Sequence, residues 1–122
     1  MRGKEYNRNA QNKAFELSSQ VVKVCRKLRL DKKEFDLSRQ LMRSGTSIGA
    51  NLEEAIGSQT QKEIYHRIHI AYREARESKY WVRILTESRL IDKNNSDDLL
   101  KRIEELLKIL GASISTMKKQ IS

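Results

Sequence analysis

A single apolar line running the length of one segment sets the tightest limit on how this chain can fold. Ile64, Ile68, Ala71, Ala75, Ser78, Val82 and Leu85 follow one another in steps of four and three. Such steps bring side chains back to one helix face, and a sustained repeat of seven marks helices packed at shallow angles. A second seam follows it: Leu99, Ile103, Leu106, Leu110, Ile114 and Met117. Two earlier segments carry related spacing, first Ala14, Leu17, Val21, Val24, Cys25 and Leu28, then Leu41, Gly45, Ile48, Leu52, Ala55 and Ile56. The chain has no proline, the residue that most disrupts helix interiors. Four amphipathic helices with short polar connections predict an all-α, up-and-down antiparallel four-helix bundle.

The expected boundaries follow from end signals. Residues 1–12 are polar and read as a flexible N-terminal arm, leaving residues 13–122 as a single bundle domain of ordinary size. Helix one spans about Lys13 to Leu28. Asp31 and Glu34 have capping-box spacing, and Ser38 is the expected N-cap of a second helix reaching Ile56, with Gly57 ending it. Thr60 and Glu63 form the box that opens helix three, and Asn95 or Ser96 is expected to cap helix four. Gly45 and Gly49 lie four apart inside helix two, where each costs about 1 kcal/mol against alanine. Close approach of a neighbouring helix is the expected compensation.

Charge narrows the partners. The 25 Lys and Arg against 16 Asp and Glu leave +9, a balance that suits nucleic acid, anionic lipid or an acidic protein. Residues 1–35 hold ten of the basic residues and four of the acidic ones. The densest run is Lys23, Arg26, Lys27, Arg29, Lys32 and Lys33, whose like charges at spacing four repel each other. An anion filling the cluster would relieve that repulsion; complementing the helix macrodipole is the plainer alternative. A second group, Arg73, Arg76, Lys79, Arg83 and Arg89, is interleaved with Tyr72 and Tyr80. There Arg76 and Tyr80 are candidates for stacking on unpaired bases. The alternative is a face tied up in ion pairs with Glu74, Glu77 and Glu87.

No segment approaches the roughly 18 apolar residues that a membrane span requires. The N-terminal MRGKEYNRNAQNK lacks the apolar stretch of a secretory signal, so the cytoplasm is the expected compartment and no membrane the expectation. Cys25, the one cysteine, lies on the apolar stripe of helix one and reads as a small buried hydrophobe. Glu63 and His66 form one Glu-x-x-His, but di-iron bundles use two such motifs and two further carboxylates. His66 and His69 also point about 150° from the helix-three seam. No metal, no cofactor and no catalytic residue is therefore expected. Arg43, Asn51, Glu54, Glu74 and Glu77 read as a polar layer between helices two and three that fixes register. A catalytic carboxylate cluster is the rival reading, with no nucleophile or base to complete it. Ile70, Trp81 and Ile84 form a second, mixed stripe on helix three, expected to be an oligomer interface. Two other uses of that stripe remain open: burial of Trp81 within the monomer, or docking of an unrelated protein partner on a scaffold.

The stretch from Ser38 to Leu85 carries a family resemblance. Gln40, Arg43, Ser47, Ile48, Asn51 and Glu54, followed by Ile70-Ala71, Glu74-Ala75-Arg76-Glu77 and Tyr80-Trp81, resemble the "four helix bundle protein" family. Its best-known members are encoded by intervening sequences in bacterial 23S ribosomal RNA, and it is related to the accessory protein of diversity-generating retroelements. The likeness covers roughly Phe15 to Met117; Ala55, where many relatives carry glycine, departs from it. The resemblance implies a homo-oligomer, in the form of a homopentameric ring. It further implies a nucleic-acid partner, RNA or DNA, with structured ribosomal RNA or a reverse transcriptase complex as the setting. The function expected is thus non-enzymatic and non-specific binding of nucleic acid through basic surface residues.

Overall fold

The computed structural model describes the backbone of residues 2–121 and the side chains of residues 8–120. Within them the chain forms four helices: α1 (Arg2–Lys32), α2 (Asp36–Ile56), α3 (Gln61–Glu87) and α4 (Lys93–Ile121). Each helix packs on its neighbour in sequence, α4 closes onto α1, and among the described residues no Cα pair of diagonally opposed helices comes within 8 Å. Connections of three to five residues make neighbours antiparallel, so the architecture is an up-and-down four-helix bundle. The seams meet inside it. Leu17, Leu28, Leu41, Ile48, Ile68, Leu85, Ile103 and Leu110 are all at most 2% exposed. Ile64 and Ile114 are only half-buried, and Ile56, the last residue of α2, is exposed because Ala55 already fills the seam position.

The α1 helix begins far earlier than Lys13. The arm expected over residues 1–12 is helical from Arg2 onward, while Met1 and the side chains through residue 7 lie outside the described residues. The cause is in the spacing: Ala10 precedes Ala14 by four, continues the apolar line and is 1% exposed. At the next residue, the Gln11 side-chain amide donates to the Glu53 carboxylate of α2.

The ends of the helices also redistribute the expected caps. Asp31 lies inside α1, which continues to Lys32 before Lys33 turns the chain with φ 53°. Glu34 then receives the first free amides of α2, accepting from the N–H of Leu37 at 3.0 Å and of Ser38 at 2.8 Å. Because that carboxylate does the capping, Ser38 is freed from the task and is fully buried. Its carbonyl accepts from the Cys25 thiol at 3.3 Å. In α3 the expected cap forms, the Glu63 N–H donating to Thr60 Oγ1 at 3.1 Å. For α4 the cap is Asp92, whose Oδ1 accepts from the Asn95 N–H at 2.7 Å. Ser96 is instead 2% exposed and bonded to Thr86 Oγ1 at 2.7 Å, tying α4 to the end of α3.

The α1–α2 contact is the close approach that the glycines suggest. A Cβ placed on Gly45 would lie 2.9 Å from Val21 Cγ2, too near for packed carbon atoms. At Gly49 a Cβ would sit 3.6 Å from Ala14 Cβ, an ordinary contact. Only the first glycine is demanded by space. Between α2 and α3, the buried hydroxyls of Ser44 and Ser78 meet at 2.9 Å, satisfying two polar groups in an otherwise apolar interior.

Candidate nucleic-acid interface

In the second half of α1 the basic run splits three ways. Lys23, Arg26 and Lys27, at helical spacings of three and four, are exposed together on one outward face. Arg29 is drawn aside and half-buried, its Nε–H donating to Ser38 Oγ at 3.3 Å. Lys32 ends the helix and Lys33 stands in the turn beyond it, both exposed. Among the described residues, Lys23, Arg26, Lys27, Lys32 and Lys33 have no ion-pair partner.

Cations elsewhere behave differently. Lys13 bonds Glu105 at 2.9 Å and Arg102 reaches Glu16 at 3.3 Å, joining α1 to α4. Lys79 joins α3 to α4 through Glu104 at 2.7 Å. Paired cations of this kind bridge two helices, whereas the α1 run is left open to solvent.

On α3, Arg76 and Tyr80 lie four apart and are both exposed. The Tyr80 ring is 57% exposed and meets Trp81 edge-on, with centroids 5.1 Å apart. Arg73, Arg76 and Arg83 have no ion-pair partner among the described residues. Two of the three glutamates that could have neutralised them are turned elsewhere, Glu74 and Glu77 both binding Arg43 of α2, while Glu87 forms no ion pair among the described residues. Since α1 and α3 stand on a diagonal, the two basic groups sit on separate sides of the bundle. The exception is Arg89. It leaves α3 altogether, occupies the turn before α4 and lines a cleft with Lys27 and Lys32.

The polar residues of α2 and α3 form a flank rather than an interior layer. Arg43 Nη1 lies 3.0 Å from Glu74 Oε2, and its Nη2 bonds Glu77. Asn51 donates to the Ser47 carbonyl at 2.9 Å and accepts from Arg67 at 3.3 Å, while Arg67 stands 3.9 Å from Glu54. Arg43 and Glu54 are well exposed, and Glu74 is the most sheltered of the set. Arg67 was not anticipated, although it precedes Glu74 by one heptad and therefore shares its flank. Trp81 Nε1–H donates to Glu77 Oε2 at 2.9 Å. That bond, followed by the Arg43 guanidinium, holds the Glu77 carboxyl below the usual carboxylate range.

Trp81 is half-buried and packed on the core, while Ile70 and Ile84 are half-buried beside it. The larger exposed apolar side chains are Phe15, Leu30, Phe35, Ile56 and Tyr80. His66 is exposed, and His69 is half-buried with its ring 6.0 Å from that of Tyr65. No three His, Cys, Asp or Glu side chains converge as metal ligands among the described residues. Burial pushes the Cys25 thiol up to about 11, which removes its reactive thiolate at neutral pH. No described helix is long and apolar enough to cross a membrane.

Fold and surface together define a basic four-helix bundle whose positive charge stands open on one helix end and one helix face. Residues 7–112 match the family described as 23S rRNA-intervening sequence protein, and the chain belongs to that family. It is also similar to a solved structure, the crystal structure of a protein of unknown function from the S23 ribosomal protein family of Bacteroides thetaiotaomicron VPI-5482. The two share 31% identity and a TM-score of 0.87, over 90% of this chain and 98% of that one. No curated protein matches the chain.

Proposed function

We propose that this protein is a non-enzymatic, cytoplasmic bundle that self-associates and binds RNA or DNA without sequence preference, through backbone phosphates. One observation carries the reading: Lys23, Arg26, Lys27, Lys32 and Lys33 crowd the end of α1 without an internal counter-charge, while interhelical cations elsewhere are paired. Like charges held together repel, and phosphates relieve that repulsion while releasing condensed counterions. Membership of a family described by a ribosomal RNA intervening sequence supports RNA as the first partner to test. Arg76 and Tyr80 supply a second, smaller surface suited to unpaired bases.

Self-association brings such surfaces into one array, a homopentamer by resemblance, and a reverse transcriptase complex is one setting for it. The half-buried Ile70, Trp81 and Ile84 form the α3 face for contact between copies. The scaffold alternative, an unrelated protein docked on the Trp81 face, uses the same surface; salt-insensitive association lost in Trp81→Ala would favour it.

The test is anisotropy of a fluorescent structured RNA titrated with protein at increasing salt. Five phosphate contacts give a log–log slope of about 3 to 5 per protomer. Lys23→Glu with Lys27→Glu is expected to lower both affinity and slope with the helical signal unchanged. Absence of binding at low salt would overturn the reading.

A further inference from the structure

The cleft between the end of α1 and the α3–α4 turn shares Lys27 and Lys32 with the open basic face and adds an apolar wall to them. It encloses about 340 Å³, near the lower end of small-ligand sites. Its apolar wall comes from Val24 and Leu28 of α1 and from Leu90 and Ile91 of the turn. Around that wall stand the cations Lys27, Lys32 and Arg89, none with an ion-pair partner among the described residues. Asp31 adds a carboxylate that is likewise unpaired although Lys27 lies four residues before it. Lys27 precedes Asp31, the less favourable order for an ion pair at helical spacing four, and both line the same cleft unpaired.

The turn that supplies Arg89 is built at some cost. Leu90 N–H bonds the Leu85 carbonyl at 2.9 Å and Arg89 N–H bonds that of Thr86 at 3.0 Å, the two hydrogen bonds of a helix-ending Schellman turn. The residue at its left-handed position is normally glycine, yet this chain places Arg89 there with φ 59°. Lys33 takes the same left-handed position at the end of α1, with φ 53°, so the conformation itself is helix-ending geometry; what it does at Arg89 is set that residue on the lining of the cleft.

We propose that this cleft seats a single unpaired nucleotide. Its base rests on the aliphatic wall, an exocyclic N–H donates to Asp31, and its phosphate is met by Lys27, Lys32 and Arg89. An anion without an apolar body leaves the wall empty, and a purely apolar ligand leaves three cations facing nothing; a nucleotide satisfies both halves. The inference rests on the nucleic-acid reading and adds to it a preference for strand ends and bulges over continuous duplex.

Two fluorescent RNAs test it, a blunt duplex and the same duplex with one unpaired 3′ nucleotide. The expected result is at least tenfold tighter binding of the second, with Arg89→Gly and Ile91→Trp each removing the preference but not duplex binding. Arg89→Gly relieves the left-handed strain, so an unchanged or higher melting temperature keeps its binding loss interpretable. Equal affinity for both RNAs overturns the cleft proposal and leaves phosphate binding intact. If neither RNA binds at low salt, the function reading fails, and backbone amide shifts on adding adenosine monophosphate decide the cleft. Shifts clustered on the cleft lining, with Leu28, Asp31, Arg89 and Ile91 among them and those of Leu28 and Ile91 absent with inorganic phosphate, support a site for free nucleotides; no shifts, or shifts elsewhere only, overturn it.

Discussion

The two glycines of α2 show how position decides the sign of one methyl group. Alanine gains about 1 kcal/mol over glycine inside a helix. At Gly49 nothing opposes that gain, so Gly49→Ala is expected to stabilise the bundle by about 0.5 to 1 kcal/mol in urea unfolding. At Gly45 the new methyl meets Val21, whose β-branched side chain has little rotamer freedom to withdraw. Overpacking costs about 1 to 3 kcal/mol, so Gly45→Ala is expected to be net destabilising by about 1 kcal/mol. Sequence spacing made both glycines suspects; it could not separate them, because the difference depends on which α1 residue stands opposite. Cys25 was legible for a simpler reason. Its place on an apolar stripe already implied burial, and the buried thiol follows.

At the scale of the helix, seams were legible and ends were not. Steps of three and four located the buried faces of all four helices because burial follows the helical period. Caps failed where two residues competed for one task. Ser38 and Glu34 can both accept from free amides, and the longer carboxylate reached two of them. Glu34→Ala is accordingly expected to cost about 1 kcal/mol, whereas the favoured sequence cap, Ser38, uses its buried hydroxyl to donate to the Glu34 carbonyl at 3.0 Å and to accept from Arg29. The α2–α3 flank carries a pH signature. Trp81 and Arg43 hold Glu77 ionised in the folded state, below its ordinary value. A depressed carboxylate contributes stability above the ordinary glutamate value of about 4.3 and loses it as pH falls through the lower folded value. The stability gap between the parent protein and Glu77→Gln is therefore expected to narrow on acidification through that window, as followed by thermal melts. Arg67, which completes the flank with Asn51 and Glu54, shows what a heptad count taken from Glu74 would have added.

For the whole molecule, composition gives a net charge of +9, and the fold rearranges where that charge stands. The sequence grouped Arg89 with the arginines of α3; the chain turn carries it to the end of α1 instead. Such a move is invisible to periodicity, because it depends on two segments more than fifty residues apart meeting at one corner. A further consequence lies in how the four helices close. The circuit is sealed where α4 meets α1, its narrowest contact, and there Lys13–Glu105 and Arg102–Glu16 span the join. Those pairs are partly exposed and weaken with salt. Hydrogen–deuterium exchange is expected to show the first half of α1 losing protection before α2 and α3 as salt rises. Ionic strength would then act twice on this protein, on the proposed grip on phosphates and on the ion pairs that fasten the narrowest seam of the bundle.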